Sequence, residues 1–298
     1  AGLSRNSNTG NLASMTKINR PNISNIYRRT RLIDLIESGP NIPITWVNAP
    51  GGAGKTTLMV DYLLKKKSPH LWYQVDERDS DIASFFHHMT QAIQSVCPQN
   101  KERLPRLAQV HYANLPAFTK NYFEEIFNRL TLSGKEKGIL VFDNFQDADN
   151  RFGFYDIISE VLEIIPTDIK IFILSRNAPP IQLARLKASQ QIQLIQWEDI
   201  RFNRSESQQL IALQNSADPE EKTLEMIHQK TEGWAAGLIL LARQMRSTTL
   251  HFGEIDHLIK EDIFDYLALE IFEQTDPLVQ ELLLKTSFAE KVSVELAT

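Results

Sequence analysis

The turn Ala49-Pro-Gly-Gly-Ala-Gly-Lys-Thr56, set between the β-rich run Ile44 to Asn48 and a helical pattern over Thr57 to Lys65, constrains this chain most. Gly51, Gly52 and Gly54 allow the backbone to aim its N–H groups at phosphate oxygens. A helix opening near Thr56 adds the positive end of its dipole to the same place. The segment fits the Walker A pattern with Ala in place of the first Gly. In that pattern the lysine, here Lys55, reaches the β- and γ-phosphates and the hydroxyl, here Thr56, ligates Mg2+. Pro50, Gly51, Gly52, Ala53, Gly54, Lys55, Thr56 and Thr57 are therefore the candidate phosphate-binding residues. A strand before the loop and a helix after it supply the context the motif requires.

The rest of the N-terminal two-thirds alternates in the same manner. A helix is predicted over Thr30 to Glu37, then strands at Ile44 to Asn48 and Leu71 to Val75. Further helices are predicted at Asp81 to Val96 and Phe154 to Ile165, and further strands at Gly138 to Phe142, Ile169 to Leu174 and Gln191 to Ile195. Near-continuous apolar strands such as Gly138-Ile-Leu-Val-Phe142 are expected where both faces of a sheet are covered. Strand alternating with helix argues for a mostly parallel sheet sandwiched by helices, an α/β P-loop NTPase fold. Trp72, Tyr73, Phe85 and Phe86 read as core.

Beyond about residue 200 no strand is predicted. Ser205-x-x-Gln208 reads as a capping box, followed by helical patterns at Glu220–Lys230, Ala235–Arg246, Ile255–Glu273 and Pro277–Thr286. Residues 1 to 14 lack an apolar period and read as a disordered or non-native lead-in ahead of Met15.

An apolar strand ending in Asp143 fits a Walker B element, whose carboxylate holds Mg2+ directly or through water. The same residue also reads as a helix-capping Asp at a buried strand end. Its neighbour Asn144 is an amide and cannot take a proton from water, so hydrolysis is expected to be slow unless Asp147 substitutes. Ile171-Phe-Ile-Leu-Ser-Arg176 is a strand ending in Arg176, read either as a reporter of the γ-phosphate or as a surface arginine in a loop. Lys55, Asp143 and Arg176 form the candidate catalytic set, with Thr56 and Asp143 the candidate metal ligands.

Several function classes are excluded or disfavoured. The longest apolar stretch, Trp234 to Ala242, is far short of the ~20 residues that cross a bilayer, so no membrane partner is expected. A net charge of −5 argues against a large nucleic-acid surface on this chain. A lone cysteine, Cys97, rules out an intrachain disulfide and fits a reducing, cytoplasmic setting. His87 and His88 are adjacent on a helix and do not face one metal site.

Taken together these segments resemble the STAND signalling NTPases, in particular the MalT-like group of LuxR-type transcriptional regulators. Lys17-Ile-Asn-Arg-Pro21 and Asn25-Ile-Tyr-Arg-Arg-Thr-Arg-Leu32 look like that group's N-terminal arm, and Val47 to Leu58 its P-loop. Trp72-Tyr-Gln-Val-Asp-Glu77, Leu174-Ser-Arg-Asn177, Thr231-Glu-Gly-Trp-Ala-Ala-Gly-Leu238, Ile263-Phe-Asp-Tyr-Leu267 and Leu282-Leu-Leu-Lys-Thr-Ser287 continue the likeness. The resemblance implies ATP/ADP with Mg2+ as ligands, Arg29 touching the nucleotide, and the Ile26–Tyr27 backbone beside adenine. It implies that Arg176 distinguishes ATP from ADP, and that Gly233, Trp234 and Ala235 pack near the nucleotide. Trp234 also reads simply as a core aromatic, and Ala235 stands where related ATPases often have Pro. Asn144 and Gln146 depart from the common Asp-Asp-aromatic-His run.

The implied organisation is an arm at 1–20, a nucleotide-binding domain at 21–200, a helical domain at 201–250 and a winged-helix-like domain at 251–298, cut short at its end. The implied function is a nucleotide-governed switch in a signal-responsive regulator. It would self-associate in the ATP state, answer an unknown inducer, and touch DNA only through a C-terminal domain absent from this chain. Two alternatives stay open: a turnover ATPase of the AAA-like kind, and a nucleotide-binding scaffold without DNA binding.

Overall fold

A computed structural model describes residues 17–24, 26–38, 41–100, 103–132, 137–148, 153–214 and 221–247, together with 279, 280 and 284. The lead-in at 1–14, the helix expected at 255–273, nearly all of that at 277–286 and the winged-helix-like region lie outside the described residues. The chain divides into two compact units, one ending at Arg201 and one beginning at Phe202.

The first unit is built on a five-stranded sheet. Its strands are β1 (Ile44–Asn48), β2 (His70–Gln74), β3 (Gly138–Asp143), β4 (Ile169–Ser175) and β5 (Ile192–Ile195). They lie in the order β2-β3-β4-β1-β5, and every neighbouring pair is parallel. Asn48 pairs with Ser175 and Gln74 with Asp143, so the C-terminal tips of β1, β4, β3 and β2 share one edge.

Alternating side chains divide the core in two, because successive strand residues point to opposite faces. On one face Trp46, Tyr73, Phe142 and Ile173 meet α3 (Ile82–Val96), α4 (Leu115–Leu132) and α5 (Phe154–Glu163). On the other, Val47, Trp72, Val141, Phe172 and Leu174 meet α1 (Thr30–Ser38) and α2 (Lys55–Lys66). Trp72, Tyr73, Phe85 and Phe86 are all buried, as their sequence reading required.

Several element boundaries differ from expectation by a residue or two, and three of the shifts have local reasons. Helix α2 starts at Lys55 because Gly54, at φ 88°, turns the chain directly into it. Helix α5 ends at Glu163, two residues short of Ile165, because the residue before Pro166 is pushed out of the helical region. Helix α3 starts at Ile82, and Asp81 caps it by accepting from the N–H groups of Ala83 and Ser84. Helix α4 has no counterpart among the predicted elements. Its buried Phe118, Tyr122, Phe123, Ile126, Phe127 and Leu130 nevertheless recur at helical spacing. Short helices α6 (Ala184–Ala188) and α7 (Trp197–Ile200) flank β5.

The second unit contains α8 (Arg204–Gln214), α9 (Glu221–Thr231) and α10 (Ala235–Ser247). Helix α8 is opened by a different capping box from the one expected. Asn203, not Ser205, is the cap: Asn203 Oδ1 accepts from the Glu206 N–H (2.8 Å) and Glu206 Oε2 accepts from the Asn203 N–H (3.0 Å). Asn ranks with Ser as a capping residue, and the earlier pair is the cap because Glu206 does return the bond to the Asn203 N–H. Gly233, at φ +79°, lies against the Phe202 backbone, where a Cβ would collide, and its carbonyl accepts the Phe202 N–H (2.9 Å).

Candidate functional site

The turn after β1 is held by its own backbone. The Ala49 N–H donates to Ser175 O (3.2 Å), joining the turn to the tip of β4. Gly52 and Gly54 take φ values of 66° and 88°, which L side chains resist. The helix then opens with Leu58 N–H donating to Gly54 O (2.9 Å). Pro50 is exposed, Ala53 is buried, and Gly51, Gly52, Gly54, Thr56 and Thr57 are half-buried. Lys55 is 9% exposed and its ammonium donates to Ala49 O (2.6 Å) and Pro50 O (2.9 Å). A fixed positive charge thus sits in the turn at a helix N-terminus, the arrangement that favours phosphate.

Asp143 meets this turn from the tip of β3. Thr56 Oγ1 lies 3.2 and 3.1 Å from its two carboxylate oxygens, and the Asn144 N–H donates to Oδ1 (3.0 Å). The carboxylate is 4% exposed. Burial pushes its pKa up to about 6, against the opposing pull of Thr56, the Asn144 N–H and Lys55. A carboxylate and a hydroxyl side by side are hard oxygen donors of the kind Mg2+ uses with water and substrate phosphates. A buried carboxylate whose charge is raised in free energy gains most from such a cation. The residues present therefore fit Mg2+, and Thr56 and Asp143 are the side chains that could hold it.

Beyond Asp143 the chain turns through Asn144, at φ 55° and ψ 40°, into a short 3-10 helix, Phe145–Asp147. Buried Phe145 anchors it. Gln146 then bridges two strand tips: its Oε1 accepts the Arg176 N–H (3.0 Å) and its Nε2 donates to Asp147 Oδ1 (2.8 Å). Burial raises the pKa of Asp147, while Gln146 and the Arg176 guanidinium pull it back. Arg176 is half-buried just past β4. Lys55, Thr56, Asp143 and Arg176 thus come to one edge of the sheet, with Gln146 and Asp147 between the last two.

The N-terminal segment runs past α2. Ile26 is half-buried and packs on the α2 core, and Tyr27 is half-buried beside it in sequence. Arg29 is buried, its Nη2 donating to Arg201 O (3.3 Å) and its carbonyl accepting from Leu32 and Ile33 N–H at the start of α1. Gly233 and Ala235 are buried and Trp234 half-buried within the second unit.

One polar cluster was not legible as a site. Lys17, itself buried, ion-pairs with Asp79 (2.7 Å) and Asp76 (2.9 Å), and Tyr73 donates to Asp79 (2.6 Å). Lys17 and Asp79 lie 62 positions apart, so no local spacing reveals the pair.

Comparison with known proteins agrees with this fold. Residues 24–176 match the family model described as Nephrocystin 3, N-terminal. The chain is similar to the HTH-type transcriptional regulator MalT of Yersinia pestis, 28% identical over 282 residues, covering 91% of this chain and 30% of that protein. The Yersinia enterocolitica MalT matches at 28% over 283 residues with the same coverage. The chain spans 30% of the length of these curated relatives. Among solved structures, a Walker-type ATPase of Pyrococcus abyssi superposes with a TM-score of 0.54 at 14% identity, covering 88% of this chain and 77% of its own. The Aeropyrum pernix ORC1 protein, solved in complex with DNA, gives 0.50 at 12% identity, covering 88% and 71%. Likeness at such identities speaks for the fold alone, a parallel α/β P-loop ATPase sheet. Among the described residues no helix is long and apolar enough to cross a membrane. The family model spans more than half of the chain, and the chain therefore belongs to the Nephrocystin 3, N-terminal family, as a STAND-like P-loop NTPase region similar to MalT-type transcriptional regulators.

Proposed function

We propose that this chain is the ATP/ADP-binding switch module of a signal-responsive transcriptional regulator that works in the cytoplasm. Lys55 and the amides of residues 50–57 hold the phosphates, Thr56 and Asp143 hold Mg2+, and the Ile26–Tyr27 backbone with Arg29 attends the base end. The nucleotide-binding domain spans 21–200, a helical domain 201–250 and a winged-helix-like domain 251–298. ATP favours an open, self-associating form, an inducer acts elsewhere in the protein, and DNA is met through a further C-terminal domain.

The observation that carries this reading is the meeting of Thr56 and Asp143 within 3.2 Å at the head of a helix whose first residue is Lys55. Those residues are 87 positions apart, and a phosphate-and-metal site is the chemistry that needs them together. A switch further needs the γ-phosphate to interact differently with two states, since equal affinity shifts nothing. Arg176 and Lys55 are the candidate sources of that difference.

Calorimetric titration of the purified chain with Mg-ATP and Mg-ADP tests the reading. Lys55→Ala should weaken ATP binding by about 30-fold or more, the loss expected from removing one partner of a charge pair. Unchanged ATP affinity would overturn the site. Arg176→Ala should narrow the ATP/ADP preference. Light scattering in ATP against ADP reads self-association directly.

A further inference from the structure

We propose that Asp147, held in place by Gln146, is the carboxylate that takes the proton of the attacking water when this site hydrolyses ATP; the inference rests on the nucleotide-site reading above. Hydrolysis at a P-loop needs a group beyond the metal carboxylate to orient water and remove its proton. Asn144, directly after Asp143, has no acid–base capacity.

Among the described residues the other carboxylates at this edge are engaged or exposed. Asp143 is bonded by Thr56 and by the Asn144 N–H. Asp76 is paired with Lys17 and Arg78, and Asp79 with Lys17 and Tyr73. Glu77 is exposed. Asp147 is different: half-buried, with Oδ1 fixed by Gln146 at 2.8 Å and Oδ2 left to receive a proton.

Topology places it on the right side of β3. Strand β4 lies between β3 and β1, so its tip stands between the tips of those two strands. Gln146 reaches from the β3 turn to the Arg176 N–H at that tip, and its other end holds Asp147. The side chain therefore ties the 3-10 turn to the tip of β4. Asp147 is close enough to Asp143 for its charge to be felt there, and it senses the Arg176 guanidinium as well as Asp76 and Glu77.

In the step assigned here the water oxygen bonds to the γ-phosphorus, and the bond from that phosphorus to the bridging oxygen breaks. The electron pair leaves with the ADP oxygen. The water proton passes to Asp147 Oδ2 and from there to solvent. Gln146 is a positioning residue: it acts through Asp147.

Single-turnover hydrolysis of radiolabelled ATP, with Mg-ATP affinity measured separately, tests this on wild type, Asp147→Asn, Gln146→Ala and the double variant. Asp147→Asn should slow hydrolysis about 100-fold with ATP affinity held within about threefold. Gln146→Ala should slow it about tenfold, and the double variant should be no slower than Asp147→Asn, as expected for residues acting as one unit. Hydrolysis by Asp147→Asn within about threefold of wild type overturns the proposal, and so does a wild type that binds ATP without hydrolysing it. Additive losses in the double variant overturn the role of Gln146. A wild type that fails to bind ATP sinks the nucleotide site itself, a different failure. Asp147→Ser repeats the test should the amide variant misfold.

Discussion

Two turns leave the same edge of the sheet, and they are built by opposite means. The turn after β1 is a backbone structure: glycines at φ 66° and 88° set its path, and its lysine is bonded to the turn's own carbonyls. The turn after β3 is a side-chain structure: Thr56 meets Asp143, Gln146 meets Arg176 N–H, and Asp147 hangs from Gln146. A backbone-built site needs residue types that permit its conformation, and those types recur together in sequence. A side-chain-built site needs only partners that the fold brings close, and many pairs of residues satisfy that.

The largest effect should come from breaking the backbone-built turn. Gly54→Val places a β-branched residue at φ 88°, a conformation that costs L residues about 1–3 kcal/mol. The loop can escape only by rotating its amides away from the phosphates, and each charge-assisted bond lost there is worth about 1.5–3 kcal/mol. ATP affinity should fall at least ~100-fold by titration, while circular dichroism of the helices stays unchanged. A variant that binds ATP normally would mean that the glycine is a packing convenience and that the turn is not held for phosphate.

The same contrast explains what could be read from residues alone. The glycine turn, the apolar β3 run ending in Asp143 and the alternation of strand and helix were legible because each is a local pattern. Helix α4 was harder because charged and polar residues interrupt a run whose apolar period is nonetheless intact from Phe118 to Leu130. The cap of α8 was misplaced by two residues because Asn203…Glu206 and Ser205…Gln208 are equally good patterns, and only the reciprocal bond decides between them. Gln146 stood out in sequence only as a departure from the related run. Its bridging role depends on Arg176, thirty positions away, arriving at the neighbouring strand tip.

A smaller and sign-specific effect tests the side-chain-built turn. Burial holds the Asp143 pKa at about 6, whereas an unfolded Asp titrates near 3.9. Between pH ~4 and ~6 the folded chain therefore binds more protons than the unfolded one, so stability falls as pH rises through that window. Above it the whole penalty is present, about 2–3 kcal/mol for a two-unit shift. Asp143→Asn removes the charge while keeping an acceptor for Thr56. In EDTA, urea melts should show the variant gaining on wild type from pH 4 to 6.5 and then holding a steady lead of about 2 kcal/mol. Mg-ATP should reverse the ranking, because the cation relieves in wild type what the amide can no longer exploit. Parallel curves in EDTA would mean that the carboxylate is comfortable without a cation, and the case for a metal ligand would weaken accordingly.

The smallest effect separates backbone from side chain within one residue. Asn144 sits at φ 55° and ψ 40°, a region that Asn enters more readily than most residues. This gives the amide a reason to stand directly after Asp143: it begins the 3-10 turn that carries Gln146 and Asp147. If that is its whole task, Asn144→Gly should melt within a few tenths of a kcal/mol of wild type, since glycine tolerates the conformation but gives up some chain entropy. Asn144→Ala should lose about 1 kcal/mol from the strained φ. Both should leave ATP affinity intact. Were the glycine variant as stable as wild type yet several-fold weaker for ATP, the Asn144 amide would belong to the site. The turn after β3 would then reach the nucleotide through a residue chosen for its side chain at a position that otherwise looks chosen for its backbone.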